Sequence, residues 1–517
     1  MRRRWLLGLL VAAWGCGSDT STSALSDAQK EGPSGGAEPS AAGVAPTPQE
    51  KEVESDYEAP VATGNFVWIA NPKSGRVAYV DAVTLVVKTA LAGNGPTFLS
   101  AVPGQTDDAT VVLNVLSEDA TLMRATKTGI TTKTLKTAPE ANALAFSADG
   151  HFAIAWTDAR KIASAPKTKG FQDLTIMNLV TGTSTILAVG YRPVLVGFAA
   201  GAPKAYAVTQ DGIAVVDVSG TPVVTKNVAI SDNPNDDPGT RDVSVTPDGH
   251  IALVRRDNSA EVTAVNLDTS TRTTVALPGF VTDLDLTENG TKAVAVIRDT
   301  SQVAILPIPG ILTPPSTFST IDVTGETIGS VSLAPGDSKA LLYTNATAEE
   351  RVTILDIAQT PPPLRTVRLY SPVLAVFSAP DAGHAVVLHD KTDGPDGTPG
   401  AFSLVPVAAA LPAKIVATSA PPTAVASTNT RAIIAERSDS KKIYGAYLAR
   451  MPELMVERYT LASPPIAVGV VPGAKRAFVA QEHPEGRLTF IDLDSGVART
   501  LTGFELASRV VDGETPQ

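Results

Sequence analysis

Beyond residue 61 the apolar positions of the chain come in short runs, each broken after about five or six residues by Pro, Gly, Asp or Asn. No run sustains the 3.6-residue period of an amphipathic helix. The runs take two recurring forms. In the first, a strand, a Pro/Asp/Gly turn and a second apolar strand follow one another. ALAFSADGHFAIAW (143–156), VSVTPDGHIALV (243–254), LDLTENGTKAVAVI (284–297), VSLAPGDSKALLY (331–343), VFSAPDAGHAVVL (376–388) and VGVVPGAKRAFVA (468–480) show it, with looser copies at 98–113 and 195–208. In the second, a strand ends at Asp or Asn, turns and re-enters a strand; Asp81, Asp217, Asn266, Asp356 and Asp492 mark it. Joined, the two forms make an antiparallel unit of four strands, A to D, that returns about every 45 residues.

Many of these strands, such as ATVVLNVL and KAVAVIRD, are apolar on both faces, which predicts burial on both sides. One four-stranded sheet cannot cover both of its own faces. Copies stacked face to face can, and four strands at this period predict an all-β β-propeller. The stretch WIANPKSGRVAYVDAVTLVVKTALAGNGP resembles the YVTN-type propeller repeat through Asn71, Val77, Tyr79, Asp81, Thr84, Val87, Gly93 and Pro96, over residues 66–104. The WD dipeptide, the kelch Gly-Gly pair and the tryptophan-docking motif of quinone-enzyme propellers are missing from the repeats. About ten units reach residue 512, against a usual four to eight blades. A single ring is expected, with two smaller propellers as the alternative. The first unit, 66–93, supplies strands B, C and D without an A. The isolated strand FELASRVVDG (504–513) is therefore expected to complete it and clasp the ring.

Composition adds a location. Arg2, Arg3 and Arg4 precede a short apolar run, Trp5 to Ala13, and then Gly15 and Cys16, the chain's one cysteine. The run is too short to span a bilayer. The arrangement resembles a bacterial lipoprotein signal, which implies cleavage after residue 15 and lipidation of Cys16. Gly17 in place of an aspartate favours the outer membrane, on the periplasmic or the outer side. Residues 16–60 are rich in Ser, Gly, Pro and Glu and poor in large apolar side chains, the composition of a flexible acidic tether. The propeller then occupies 61–513, with a tail at 514–517. A single cysteine excludes an internal disulfide or a CxxC site. A net charge of −11 speaks against nucleic acid as a partner.

Candidate chemistry concentrates in the loops. A–B and C–D turns share one rim of a propeller, and the longer B–C and D–A loops share the other, where function is usually displayed. On that rim the acidic loops 231–242 (Asp232, Asp236, Asp237) and 389–400 (Asp390, Asp393, Asp396) offer oxygen ligands suited to Ca²⁺, or plain turn residues. The insertion 157–173 carries Arg160, Lys161, Lys167 and Lys169 for an anionic partner. His151, His250 and His384 follow A–B turn glycines, a structural place. His389 and His483 fall in B–C loops beside Asp390 and Glu482, where a metal or acid–base role is open to them. No GxSxG, HExxH or phosphate-cradling loop is present, and no cofactor other than Ca²⁺ is expected. The expectation is a membrane-anchored, non-enzymatic scaffold of the cell envelope that binds protein or surface polymer. The alternatives are a periplasmic propeller enzyme, because some YVTN-like propellers resemble lactonases and others belong to dehydrogenases, or a structural subunit of an envelope assembly complex.

Overall fold

The computed structural model describes residues 60–503 apart from 106, 127–128, 159–160, 162–170, 233–239, 393–396 and 484–485. Within them, forty strands form ten sheets of four, each antiparallel and each in plain chain order. The blades run 61–91, 96–136, 143–188, 195–228, 241–276, 281–322, 330–368, 373–418, 422–460 and 465–502.

Ten apolar clusters hold these blades, and each cluster draws on two neighbouring blades. Ile251, Leu253 and Val262 of blade 5 meet Ala293, Ala295 and Leu306 of blade 6, for example. The tenth joins the ends of the chain: Val67, Ala78 and Val80 of blade 1 pack against Phe478, Leu488 and Phe490 of blade 10. The blades therefore close one ring, and two smaller rings are set aside. The strands that read as apolar on both faces are those with a cluster on each side. Val294 and Val296 face blade 7 while Ala293 and Ala295 face blade 5, as the alternation of a strand requires.

The ring does not close as the repeat count predicted. Val61–Ala62 pairs with Phe66–Asn71 and supplies strand A of blade 1, the place expected for 504–513, which lies outside the described residues. Every blade is thus one unbroken stretch of chain. The seam is locked without strand exchange: the Gly473 N–H donates to the Gly64 carbonyl at 2.7 Å, and Arg476 Nη1 donates to the carbonyls of Ala82 (2.5 Å) and Val83 (3.1 Å). A two-residue strand carries little periodicity, which is why the pattern hid it.

The turn residues do what their spacing implied. Asp81, Asp217, Asn266, Asp356 and Asp492 each accept, through Oδ1, a backbone N–H two residues on, at 2.8–3.2 Å. These Asx turns swing strand C into strand D. At the A–B turns the Ser147 and Thr246 hydroxyls accept the N–H of Phe152 and Ile251, while Asp149 and Asp248 accept the N–H of His151 and His250. Gly150 sits at φ +65°, and a Cβ there would stand 2.1 Å from the Pro103 carbonyl of the preceding blade. That turn therefore needs glycine twice over, for conformation and for the close approach.

Candidate functional site: the channel wall and the loop rim

Strands A of neighbouring blades touch one another at most of the seams, so they line the central channel. Their sequences are mostly small or apolar, and partly exposed Phe98, Phe146, Phe198, Leu286, Leu333 and Phe377 cap the inter-blade clusters from this side. Among the described residues the inner strands carry charge in two blades: Arg241 and Asp242 in Arg241–Val245 of blade 5, and Asp283 and Asp285 in Val281–Leu286 of blade 6.

Behind this sector Arg255, 5% exposed, is the penultimate residue of strand B of blade 5, Ile251–Arg256. Its guanidinium pairs with Asp242 and reaches Asp257 Oδ1 at 3.1 Å. Burial opposes its charge, but Asp242, Asp283 and Asp257 outweigh that and hold its pKa above the ordinary value. Burial also pushes Asp257 up, against the pull of Arg255. Asp285 differs, since no cation bears on it. It is partly open to the channel and otherwise walled in by protein. Burial pushes its carboxyl up to about 6, with the Leu333 N–H at 3.2 Å pulling the other way. This sector escaped sequence reasoning. Two aspartates two residues apart in LDLTENG look like the polar side of an ordinary strand, and nothing local says that the strand is innermost.

The described residues among those singled out on the rim are scattered, and several have structural work. His389 is the last residue of strand B in blade 8 rather than a loop residue, and it is 1% exposed. Its Nδ1 lies 3.1 Å from the Pro372 carbonyl and its Nε2 2.7 Å from Ser403 Oγ. Burial drives its pKa down to about 4. The ring is therefore neutral at pH 7, with Nδ1–H donating to Pro372 and Nε2 accepting from Ser403. Its neighbour Asp390 accepts its own successor's N–H, from Lys391, at 2.8 Å. Asp232 pairs with Arg272 at 2.5 Å. Asp232 and Asp390 belong to parts of the ring more than three blades apart, so these two residues do not share one site. Lys161 is exposed. Cys16, Asp236, Asp237, Asp393, Asp396, Arg160, Lys167 and Lys169 lie outside the described residues. Among the described residues no group of three or more His, Cys, Asp or Glu is placed to hold a metal ion.

A further two hollows are formed by described residues. A cavity of 270 Å³ at the closing seam is lined by Pro60, Ile69, Ile466, Gln481, Glu482, His483 and Arg487 among others. Here Glu482 is drawn off by Arg437 at 2.9 Å. A groove of 480 Å³ opens between the outer strands of blades 8 and 9, over Ile415, Val416, Tyr447, Met455 and Arg458. Glu436, fully buried behind it, accepts from the N–H groups of Ser419 (2.8 Å) and Ala420 (3.1 Å), Tyr447 OH (3.0 Å), and Arg458 Nε (2.8 Å) and Nη2 (2.6 Å).

The chain is a ten-bladed β-propeller. No protein-family model matches it, and no curated protein sequence does. Solved structures that are similar are propeller proteins. The Kuenenia stuttgartiensis hydrazine synthase is 15% identical over 60% of this chain and 95% of that one, with a TM-score of 0.34. A dihydro-heme d1 dehydrogenase in complex with DHE is 14% identical over 68% of this chain and 79% of that one, with a TM-score of 0.40. The Myceliophteria thermophila Cps50 (Swd1) β-propeller domain is 11% identical over 64% and 95%, with a TM-score of 0.33. At these identities the likeness is one of fold.

Proposed function

We propose that this propeller is a lipid-anchored scaffold of the bacterial cell envelope, held to the outer membrane through Cys16 and binding a protein or envelope polymer on its loop-bearing rim. The N-terminal pattern Arg2–Arg4, Trp5–Ala13, Gly15, Cys16 and the tether that follows support the anchor. The observation that carries the scaffold reading is the ring itself. Ten complete blades form a rigid frame with two broad rims of loops. The fate of His389 is consistent with this: it is held neutral inside blade 8, with both nitrogens engaged in holding strands together.

Fractionation of cells expressing the wild type and Cys16→Ser tests the anchor. The wild type is expected in the membrane fraction and the variant in the soluble one; retention of the variant at the membrane refutes lipidation at Cys16. Crosslinking in intact envelopes, followed by affinity capture through a C-terminal tag, tests the scaffold. Recovery of one partner at a fixed ratio supports it, and recovery of none under several conditions refutes it.

A further inference from the structure

Three aromatic side chains are exposed among the described residues, Tyr191, Phe280 and Tyr370. All three stand on one rim, in the D–A links that enter blades 4, 6 and 8. The opposite rim exposes aliphatic side chains instead, such as Val83, Val180, Leu411 and Val497 at C–D turns. Each aromatic has the same companion, an exposed aspartate in the B–C loop of the blade it leads into: Asp211, Asp299 and Asp390 in turn. Backbone contacts hold the partners together. The Tyr191 N–H donates to Asp211 Oδ2 at 2.8 Å, and its carbonyl accepts the Gln210 N–H at 2.8 Å. A Cβ on Gly279, next to Phe280, would stand 3.8 Å from Asp299 Cβ. The Asp390 N–H donates at 3.1 Å to the carbonyl of Pro372, two residues beyond Tyr370. The rings are thus carried on short links pinned to the frame, which leaves a ligand little to order. In blades 5, 9 and 10 the acid at this place, Asp257, Asp439 or Glu482, pairs with Arg255 or Arg437, and the link carries no aromatic. Asp211, Asp299 and Asp390 form no salt bridge among the described residues.

Charge beside each pair is mixed. Arg192 follows Tyr191, Arg298 precedes Asp299, and the Arg368 guanidinium carbon lies 5.0 Å from the centre of the Tyr370 ring. Arg368 already takes the place of a cation on Tyr370, while the aspartates oppose a phosphate chain. Isolated rings on a polar rim also give no continuous apolar core for a protein partner. A neutral ligand with apolar faces and hydroxyl edges meets none of these objections. A pyranose ring is such a ligand: its C–H face lies against an aromatic ring, and its hydroxyls donate to a carboxylate. Neighbouring sheets pack about 10 Å apart, so alternate blades set successive pairs about 20 Å apart, too far for one sugar and suited to a chain. We propose that the aromatic–aspartate pairs of blades 4, 6 and 8 are subsites for a neutral polysaccharide that lies along this rim. The inference rests on the reading of this rim as the binding face and narrows its ligand to a glycan.

Two binding assays on the detergent-solubilised full-length protein test it and separate wall glycan from surface glycan. One is co-sedimentation with protein-free peptidoglycan sacculi. The other is electrophoresis through gels that contain the deproteinised surface polysaccharide of the cells that produce it. Binding is expected in one of the two. Tyr370→Ala is expected to weaken it about tenfold, the scale of losing one stacked ring. The triple variant Tyr191→Ala, Phe280→Ala, Tyr370→Ala is expected to abolish it, because linked subsites act together. Tyr370→Phe keeps the ring and is expected to bind like the wild type, as is Val497→Ala on the opposite rim. The substituted side chains are exposed, so unchanged urea midpoints are expected to show that the variants fold. Absence of binding in both assays, or binding that the folded triple variant retains, overturns the proposal. The scaffold reading survives that result where crosslinking in envelopes still captures a partner, and falls with it where none is captured.

Discussion

Glu436 offers a sharp test of how the blades are tied together. It is a fully buried carboxylate in strand B of blade 9, and it gathers the link entering that blade (Ser419 and Ala420), strand C (Tyr447) and strand D (Arg458). Replacing it by leucine preserves bulk but strands its donors. The two backbone N–H groups have nowhere to turn, and Tyr447 is only 4% exposed. Each buried donor left unmet costs about 1–3 kcal/mol. Arg458 is more than a third exposed on its side chain and can reach water, so its loss adds little. Three orphaned donors, partly relaxed, give about 4 kcal/mol, in the range for breaking a buried pair. Adding Arg458→Met to Glu436→Leu is expected to recover no more than about 1–2 kcal/mol, because the N–H groups and the tyrosine remain unmet. Equilibrium urea unfolding reads this as a shift in midpoint at unchanged slope. A loss below about 1 kcal/mol for Glu436→Leu, or full recovery in the double variant, would refute the reasoning.

The remaining predictions concern closure and pH. Deleting 504–517 is expected to leave the urea midpoint unchanged, since all ten blades are complete by Thr502; a marked fall would restore the strand-exchange clasp. Phe478→Ala, at a wholly buried position in the closing cluster, is expected to cost about 3–5 kcal/mol in the same assay, and a near-neutral result would place closure elsewhere. His389 has a folded pKa of about 4 against 6.5. Its contribution is therefore intact above pH 6.5 and lost as pH falls toward 4, an effect of about 3 kcal/mol. Unfolding measured across that window should be flatter in His389→Gln than in the wild type, and equal slopes would contradict the buried neutral imidazole.

Much of the architecture was legible along the chain because a propeller repeats one local problem. The turn aspartates and asparagines had to cap strand ends through Asx geometry, and Asp81 and Asp492 do so in the first and last blades along the chain. His151 and His250 were rightly read as turn residues, since their N–H groups bond Asp149 and Asp248. The candidate sites were less legible. His389 has the same sequence context as a loop residue, HDKTDG, and one residue of strand length moved it from the rim into the core. Asp283 and Asp285 have no local signature, because the N–H groups they accept belong to a strand some 48 residues away.

Alternation, turn chemistry and the repeat period thus determined the strands, the four-stranded blade and the need for stacking, because these depend on neighbours within one unit. The charged N-terminal pattern likewise belongs to the sequence alone. Tertiary structure decided what depends on the angle and number of blades: closure at ten, the use of Val61–Ala62 as an inner strand, and the meeting of Asp242, Arg255 and Asp283 behind one wall of the channel. Each of those is a contact between units, and an inter-unit contact is set by how sheets pack, which no single repeat records.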